Sequence, residues 1–216
     1  MYFGRIEGII TMNEKRKKNL GSKYSTKRLI WGLYTSIGVL GLVILDQLSK
    51  AIAVTNLKNS DSVTVIKGLF ALTYVENKGA AWGVLSGRMS ILVIITIILI
   101  PLFVFCMHKI NKNKKLLDSS KLKGVSLLHF DMILLLSGAI GNFIDRIIKG
   151  YVVDFFQFTF IDFPVFNVAD CYITIGAVLF IIVYMFLLKD EDISLLFKGE
   201  KTVSEEKKND EISDKL

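Results

Sequence analysis

Proline, histidine and cysteine are each nearly absent: the 216 residues contain two of each. With so little proline, long helices are permitted. Cys106 and Cys171 both fall inside apolar runs, so they read as small core residues and imply no disulfide framework. No apolar run precedes Leu29, so a cleaved signal peptide is not expected. Residues 1–28 instead hold eight Lys or Arg against two acids. Met12 opens Met-Asn-Glu-Lys-Arg-Lys-Lys, a more natural start than Met1, and sequencing the mature N-terminus decides between them. There is no internal repeat, and the length holds one domain.

What is abundant is apolar surface. The chain is 52% hydrophobic with mean hydropathy +0.49, too apolar for an ordinary soluble domain. A bilayer-crossing helix needs roughly 20 apolar residues. Runs of that kind lie at about 29–48, 89–107, 124–144 and 168–188, with Pro101 as a tolerated kink. Ser137, Gly138 and Gly141 offer the third run a small-residue face for close packing. The reading is an all-α membrane protein of four transmembrane helices with a small extracytoplasmic β-hairpin or cradle. It divides into a basic segment at 1–28, a membrane domain at 29–188 and a charged tail at 189–216. The tail, with nine acids and six Lys, is expected to be disordered and solvated.

The hairpin lies in the connection 51–88. Val63 and Val65 alternate, Lys67-Gly68 reads as a turn, and Leu69, Ala71, Thr73 and Val75 alternate again. The motif Asn77-Lys-Gly79-Ala80-Ala81-Trp82-Gly83 follows. Its small residues allow backbone or ligand to approach closely, and Trp82 suits the headgroup level. A plain surface loop is the other reading.

The net charge of +7 reads as an orientation signal, with nucleic-acid binding the weaker reading. Of 27 Lys and Arg, 20 lie in the N-terminal segment, the 108–123 loop and the tail, and seven in the other connections. The positive-inside rule places both termini in the cytoplasm. Asp46, Asn77, Asn142, Asp145, Arg146, Asp154, Asn167 and Asp170 then all fall near the outer face. His129 and Asp131 fall at the opposite end of their span and read as interfacial or packing groups.

Such a cluster at the edge of membrane spans usually has a function. No His reaches the outer face, so no Ser or Cys there can be activated by one, and zinc ligands are lacking. Ser49 and Lys50 are helix neighbours and do not face each other. Asp46 and Lys50 do share a face. They are either an interfacial ion pair with a snorkelling Lys or a binding-site pair. As a surface pair they would be worth only about 0–1 kcal/mol, so losing Lys50 would not be expected to unfold the protein. Asp154 and Asp170 can meet across sixteen residues. Close carboxylates share a proton, so one can act as base on a water while the other polarises a carbonyl. Asn167, three before Asp170, could bond substrate backbone or orient the carboxylate. Asn142 and Arg146 are four apart on the third helix, where Arg146 could brace the loop or meet a phosphate or peptide carbonyl. The alternatives are interfacial caps and ion pairs, a proton-coupled transporter or an inert lipid-binding scaffold. A transporter would want polar groups at mid-membrane depth, which the second and fourth runs lack.

Five motifs then carry a resemblance. Asp46-Gln-Leu-Ser-Lys50, Asn77-Lys-Gly79-Ala-Ala-Trp-Gly83, Gly138-Ala-Ile-Gly-Asn-Phe-Ile-Asp-Arg146, Val152-Val-Asp-Phe155 and Phe166-Asn-Val-Ala-Asp170 together resemble bacterial lipoprotein signal peptidase (signal peptidase II). The likeness covers roughly residues 30–188. It implies an inner-membrane aspartic endopeptidase that cuts prolipoproteins just before a diacylglyceryl-modified cysteine. Asp154 and Asp170 would be the catalytic dyad. Asp46, Lys50, Asn77, Gly79, Asn142, Arg146 and Asn167 would form the substrate-binding shell. No metal or organic cofactor is implied, and no nucleic acid. The implied partners are prolipoprotein substrates, membrane lipids and inhibitors of the globomycin type. Trp82 stands where the family usually has Phe, and Ser137 where Gly is common; both differences bear on pocket shape.

Overall fold

The computed structural model describes residues 2–79, 88–112 and 123–188. Helix α1 covers Tyr2–Leu57, α2 Met89–Lys112, α3 Lys123–Lys149 and α4 Val168–Ile182, the last extended by a π-helical turn at Val183–Leu187. Strands β1 (Val63–Ile66), β2 (Phe70–Asn77) and β3 (Val152–Phe158) form one antiparallel sheet in the order β1-β2-β3. Among the described residues, four helical stretches are long and apolar enough to cross a membrane: Leu29–Leu57, Met89–Ile110, Ser126–Lys149 and Val168–Leu187. The tail and Trp82 lie outside the described residues.

The chain forms two compact units. One contains, among the described residues, 2–36 and 108–112. Its described part is helical, from α1 up to Ser36 and from the end of α2. The other, Ile37–Met107 and Lys123–Leu188, holds the sheet and every residue of the polar cluster.

The first span runs nine residues beyond its expected end at Leu48. Ala51-Ile-Ala-Val continues the apolar pattern past Asp46 and Lys50. Ala53 and Leu57 bury against Val153 and Phe155 of β3. That contact gives the extra turns a tertiary reason to form.

The hairpin stands where its alternation placed it. Leu69 N–H donates to the Ile66 carbonyl at 3.0 Å, and Gly68 takes the positive φ of 75° that closes the turn. The sheet also has a third strand that the sequence pattern did not suggest. Val152, Val153, Asp154 and Phe155 are all buried, so β3 shows no period-two alternation where it begins. α3 hands over to β3 within two residues. Gly150, at φ 75°, ends the helix and donates its N–H to the Arg146 carbonyl at 3.2 Å.

α3 is the most buried span, whereas the apolar stretches of α1 and α2 are almost wholly exposed. α2 exposes Ile94, Ile97 and Ile98, the lipid-facing surface of a span with few partners. α3 and α4 approach closely at the expected small residues. A methyl group on Gly138 would lie 2.6 Å from the Ala169 carbonyl oxygen.

Candidate active site

Asp154 sits in the middle of β3 and Asp170 in the first turn of α4. β3 pairs with β2 so that Asp154 lies beside Val75, two residues before Asn77. α4 begins with a capping box. Asn167 Oδ1 accepts the Asp170 N–H at 3.0 Å, and Asp170 Oδ2 accepts the Asn167 N–H at 3.1 Å. The bonds that start the helix therefore also fix the Asp170 carboxylate.

Neutral donors satisfy both carboxylates. Asp154 accepts from Asn167 Nδ2 at 2.6 Å on Oδ1 and from Asn77 Nδ2 at 2.8 Å on Oδ2. Asp170 Oδ1 accepts from Asn142 Nδ2 at 2.8 Å. Burial, and then the Asp170 charge, push the Asp154 carboxyl up to about 7. The bonds from Asn77 and Asn167 oppose that shift without cancelling it. A carboxyl poised near neutrality beside a second carboxyl can exchange a proton with water or substrate.

Behind the dyad lies a buried ion network. Lys50 Nζ meets Asp46 Oδ2 at 2.9 Å and Asp145 Oδ2 at 3.5 Å, and all three side chains are 0% exposed. This excludes the interfacial, snorkelling reading of Asp46 and Lys50, and the small energy of a surface pair with it. Lys50 also donates to Asn142 Oδ1 at 2.9 Å, and Asn167 Nδ2 donates to the same oxygen at 3.1 Å. An ammonium can only donate, so it fixes which end of the Asn142 amide faces Asp170. Asp46 Oδ1 accepts the Ala169 N–H at 2.9 Å and so ties α1 to the start of α4. Asp145 is likewise a brace. It pairs with Lys149 at 2.8 Å and accepts the Val153 N–H at 3.1 Å, next to Asp154.

Gly141 leaves room for this network. A methyl group there would collide with the Asp46 carboxylate. Gly141→Ala should therefore displace Asp46, lower the thermal midpoint and reduce turnover. A variant with unchanged midpoint and rate would show that the site tolerates the displacement.

The remaining expected residues are placed as follows. Asn77 Oδ1 accepts the Gly79 N–H at 2.8 Å, which turns the chain away from β2. Arg146 lies where the charges of Asp170, Asp154 and Asp145 act on it, and its buried Nε has no hydrogen-bond partner among the described residues. His129 and Asp131 are fully buried within the protein. Ser137 is buried too, donating to the Ile133 carbonyl at 2.6 Å. Sequence reasoning missed Gln47, whose Nε2 lies 3.1 Å from both Asp46 Oδ2 and the Gly141 carbonyl. Its place beside Asp46 was the available signal.

Comparison with known proteins bears directly on this arrangement. Residues 38–186 match the family model of signal peptidase (SPase) II. The chain belongs to the signal peptidase II family. The lipoprotein signal peptidase of Streptococcus thermophilus strain CNRZ 1066 is 40% identical over 156 residues, spanning 72% of this chain and 93% of the relative. That of Staphylococcus carnosus strain TM300 is 43% identical, spanning 71% and 89%. Two solved bacterial membrane enzymes, determined by the in meso method at 2.3 and 1.9 Å, are similar in fold. Each has a TM-score of 0.59, with 34% and 37% identity, covering 78% and 71% of this chain and 92% and 93% of theirs. The protein is thus a membrane peptidase of the signal peptidase II type. The matched region contains both Asp154 and Asp170 and all seven residues expected around them.

Proposed function

We propose that this peptidase removes the signal peptide from diacylglyceryl-modified prolipoproteins, cutting just before the lipidated cysteine, with Asp154 and Asp170 as an aspartic dyad. The observation that carries this reading is the pairing itself. Two carboxylates from separate elements are held by a shared set of side-chain amides where apolar helices give way to a sheet, and the charge of Asp170 acts on Asp154. One carboxylate takes a proton from water as the oxygen adds to the scissile carbonyl carbon. The other, protonated, hydrogen-bonds the carbonyl oxygen as it gains charge. The first then passes its proton to the leaving nitrogen as the C–N bond breaks. Arg146, whose Nε has no partner among the described residues, would meet a substrate carbonyl. Asn77, Gly79, Asn142 and Asn167, backed by Asp46 and Lys50, would hold the peptide near the dyad. The step needs no metal or organic cofactor.

Orientation belongs to the same proposal. Both termini, including the basic segment 1–28 and the tail 189–216, lie in the cytoplasm. The dyad lies at the outer face of the cytoplasmic membrane, where substrate lipid can stay in the bilayer. Globomycin-type inhibitors would occupy the same site. A reporter active only in the cytoplasm should work when fused at residue 115 or 200 and fail at 60 or 160. Activity at 60 would overturn the orientation. The function is tested by incubating purified protein with lipidated and unmodified precursor. Cleavage of the lipidated form alone is expected, and cleavage of neither would leave an inert scaffold as the better reading.

The Asp154 carboxyl gives a pH signature. Below about pH 7 it holds its proton, and above that it loses it. Turnover should therefore fall as pH rises through about 7. The Asn77 bond favours the charged form, so Asn77→Ala should weaken cleavage and move this limb to higher pH. A limb that stays in place in Asn77→Ala would show that Asp154 does not control it.

A further inference from the structure

On the face of β2 turned away from the dyad lies a polar cluster that the reaction does not use. Side chains alternate along a strand, so Tyr74 and Glu76 share one face while Asn77 points to the other. Lys58, just past the end of α1, meets Glu76 Oε1 at 3.1 Å, and the Tyr74 hydroxyl donates to the same oxygen at 3.0 Å. The Lys58 ammonium also stands 5.5 Å from the centre of the Tyr74 ring. Tyr151, at the joint between α3 and β3, interacts with Tyr74, Glu76 and Lys58. Both tyrosines rest on Ala53, Leu57, Val153 and Phe155.

This end of β2 needs holding. β1 pairs only with Phe70, Ala71 and Leu72. Among the described residues, 75–77 have a strand partner on one side alone, β3, and the register slips between Leu72 and Val75. Asn77 is the last residue of the strand, and the chain turns away at Gly79.

We propose that Lys58, Glu76 and Tyr74, closed by Tyr151, form a latch that fixes the end of β2 and so positions Asn77 on Asp154. The latch joins the three elements that carry Lys50, Asn77 and Asp154. Its members are positioning residues, and the proposal rests on the reading of Asp154 as catalytic.

The test is a charge swap in the full-length protein, with lipidated precursor as substrate. Lys58→Glu and Glu76→Lys should each lower kcat by about three- to tenfold, since small misplacements at a reacting centre are amplified, with little change in KM. The double variant Lys58→Glu/Glu76→Lys should return to within about twofold of wild type, because the pair is rebuilt with its signs exchanged. Lys67→Glu, on the exposed hairpin turn, controls for charge reversal alone. Thermal midpoints are measured throughout. Single variants with normal kcat, or a double that stays as slow as the singles, would overturn the latch. So would losses of kcat that merely follow losses of thermal midpoint. Asp154→Asn is run beside them: if it cleaves normally, the dyad reading fails whatever the swap shows.

Discussion

Asp154→Asn and Asp170→Asn should each abolish prolipoprotein cleavage, with a loss of at least about 10³-fold, within the range for removing a positioned acid or base. Asparagine keeps the shape of Asp and can still hydrogen-bond, although its NH2 replaces one of the two accepting oxygens. It cannot take a proton from water, and it cannot exchange roles with its partner as the tetrahedral intermediate breaks down. The double variant should be little slower than either single, because the carboxylates act as one unit. Asp145→Asn supplies the contrast. Asp145 is buried and braces Lys149 and the Val153 N–H, so its loss acts through the geometry of β3 and should hurt less. Membrane insertion of each variant, checked by fractionation, separates catalytic loss from misfolding. A dyad variant that inserts and cleaves at near-normal rate would sink the aspartic assignment.

The second large effect is expected at Lys50. Its ammonium is wholly buried between Asp46 and Asp145 and orients the Asn142 amide toward Asp170. Lys50→Ala removes the cation and leaves the buried Asp46 carboxylate without its counter-ion. Breaking such a pair costs about 3–5 kcal/mol, far more than a surface pair would. Cleavage should fall by about 100-fold or more, since Asn142 is free to turn away from Asp170. Asp46→Leu combined with Lys50→Met should recover part of the stability, because neither charge is left alone, and none of the cleavage. Thermal unfolding in detergent and turnover at saturating substrate would check both. Normal stability in Lys50→Ala would mean that water reaches the pair.

The contrast at Lys50 shows where sequence reading stopped. Charged and amide side chains stand out in an apolar chain, so Asp154, Asp170 and the shell around them were legible as a group. Spacing also showed that Asp46 and Lys50 share a helical face. It did not show which way that face turns, because burial depends on α3 and α4 closing over α1, contacts such as Lys50–Asn142 and Asp46–Ala169 that lie 92 and 123 positions apart. The same limit hid the last turns of α1, whose reason to form lies in Val153 and Phe155. It hid β3 as well, since a strand buried on both faces carries no alternation. The hairpin could be read because its turn is local and Gly68 marks it. Gln47 went unnoticed because its partner, the Gly141 carbonyl, is backbone on another helix.

The claim that paired carboxylates act on a water, with no covalent step, is tested most directly by a single turnover in ¹⁸O-labelled water. Wild-type protein and lipidated precursor are mixed, quenched in acid at successive times, and the masses of peptide and enzyme are measured. The expected result is one ¹⁸O in the new carboxylate of the released signal peptide, with the enzyme's mass unchanged at every time point. An enzyme carrying the mass of the signal peptide at early times would contradict it, and a nucleophile would then have to be sought among the chain's own side chains.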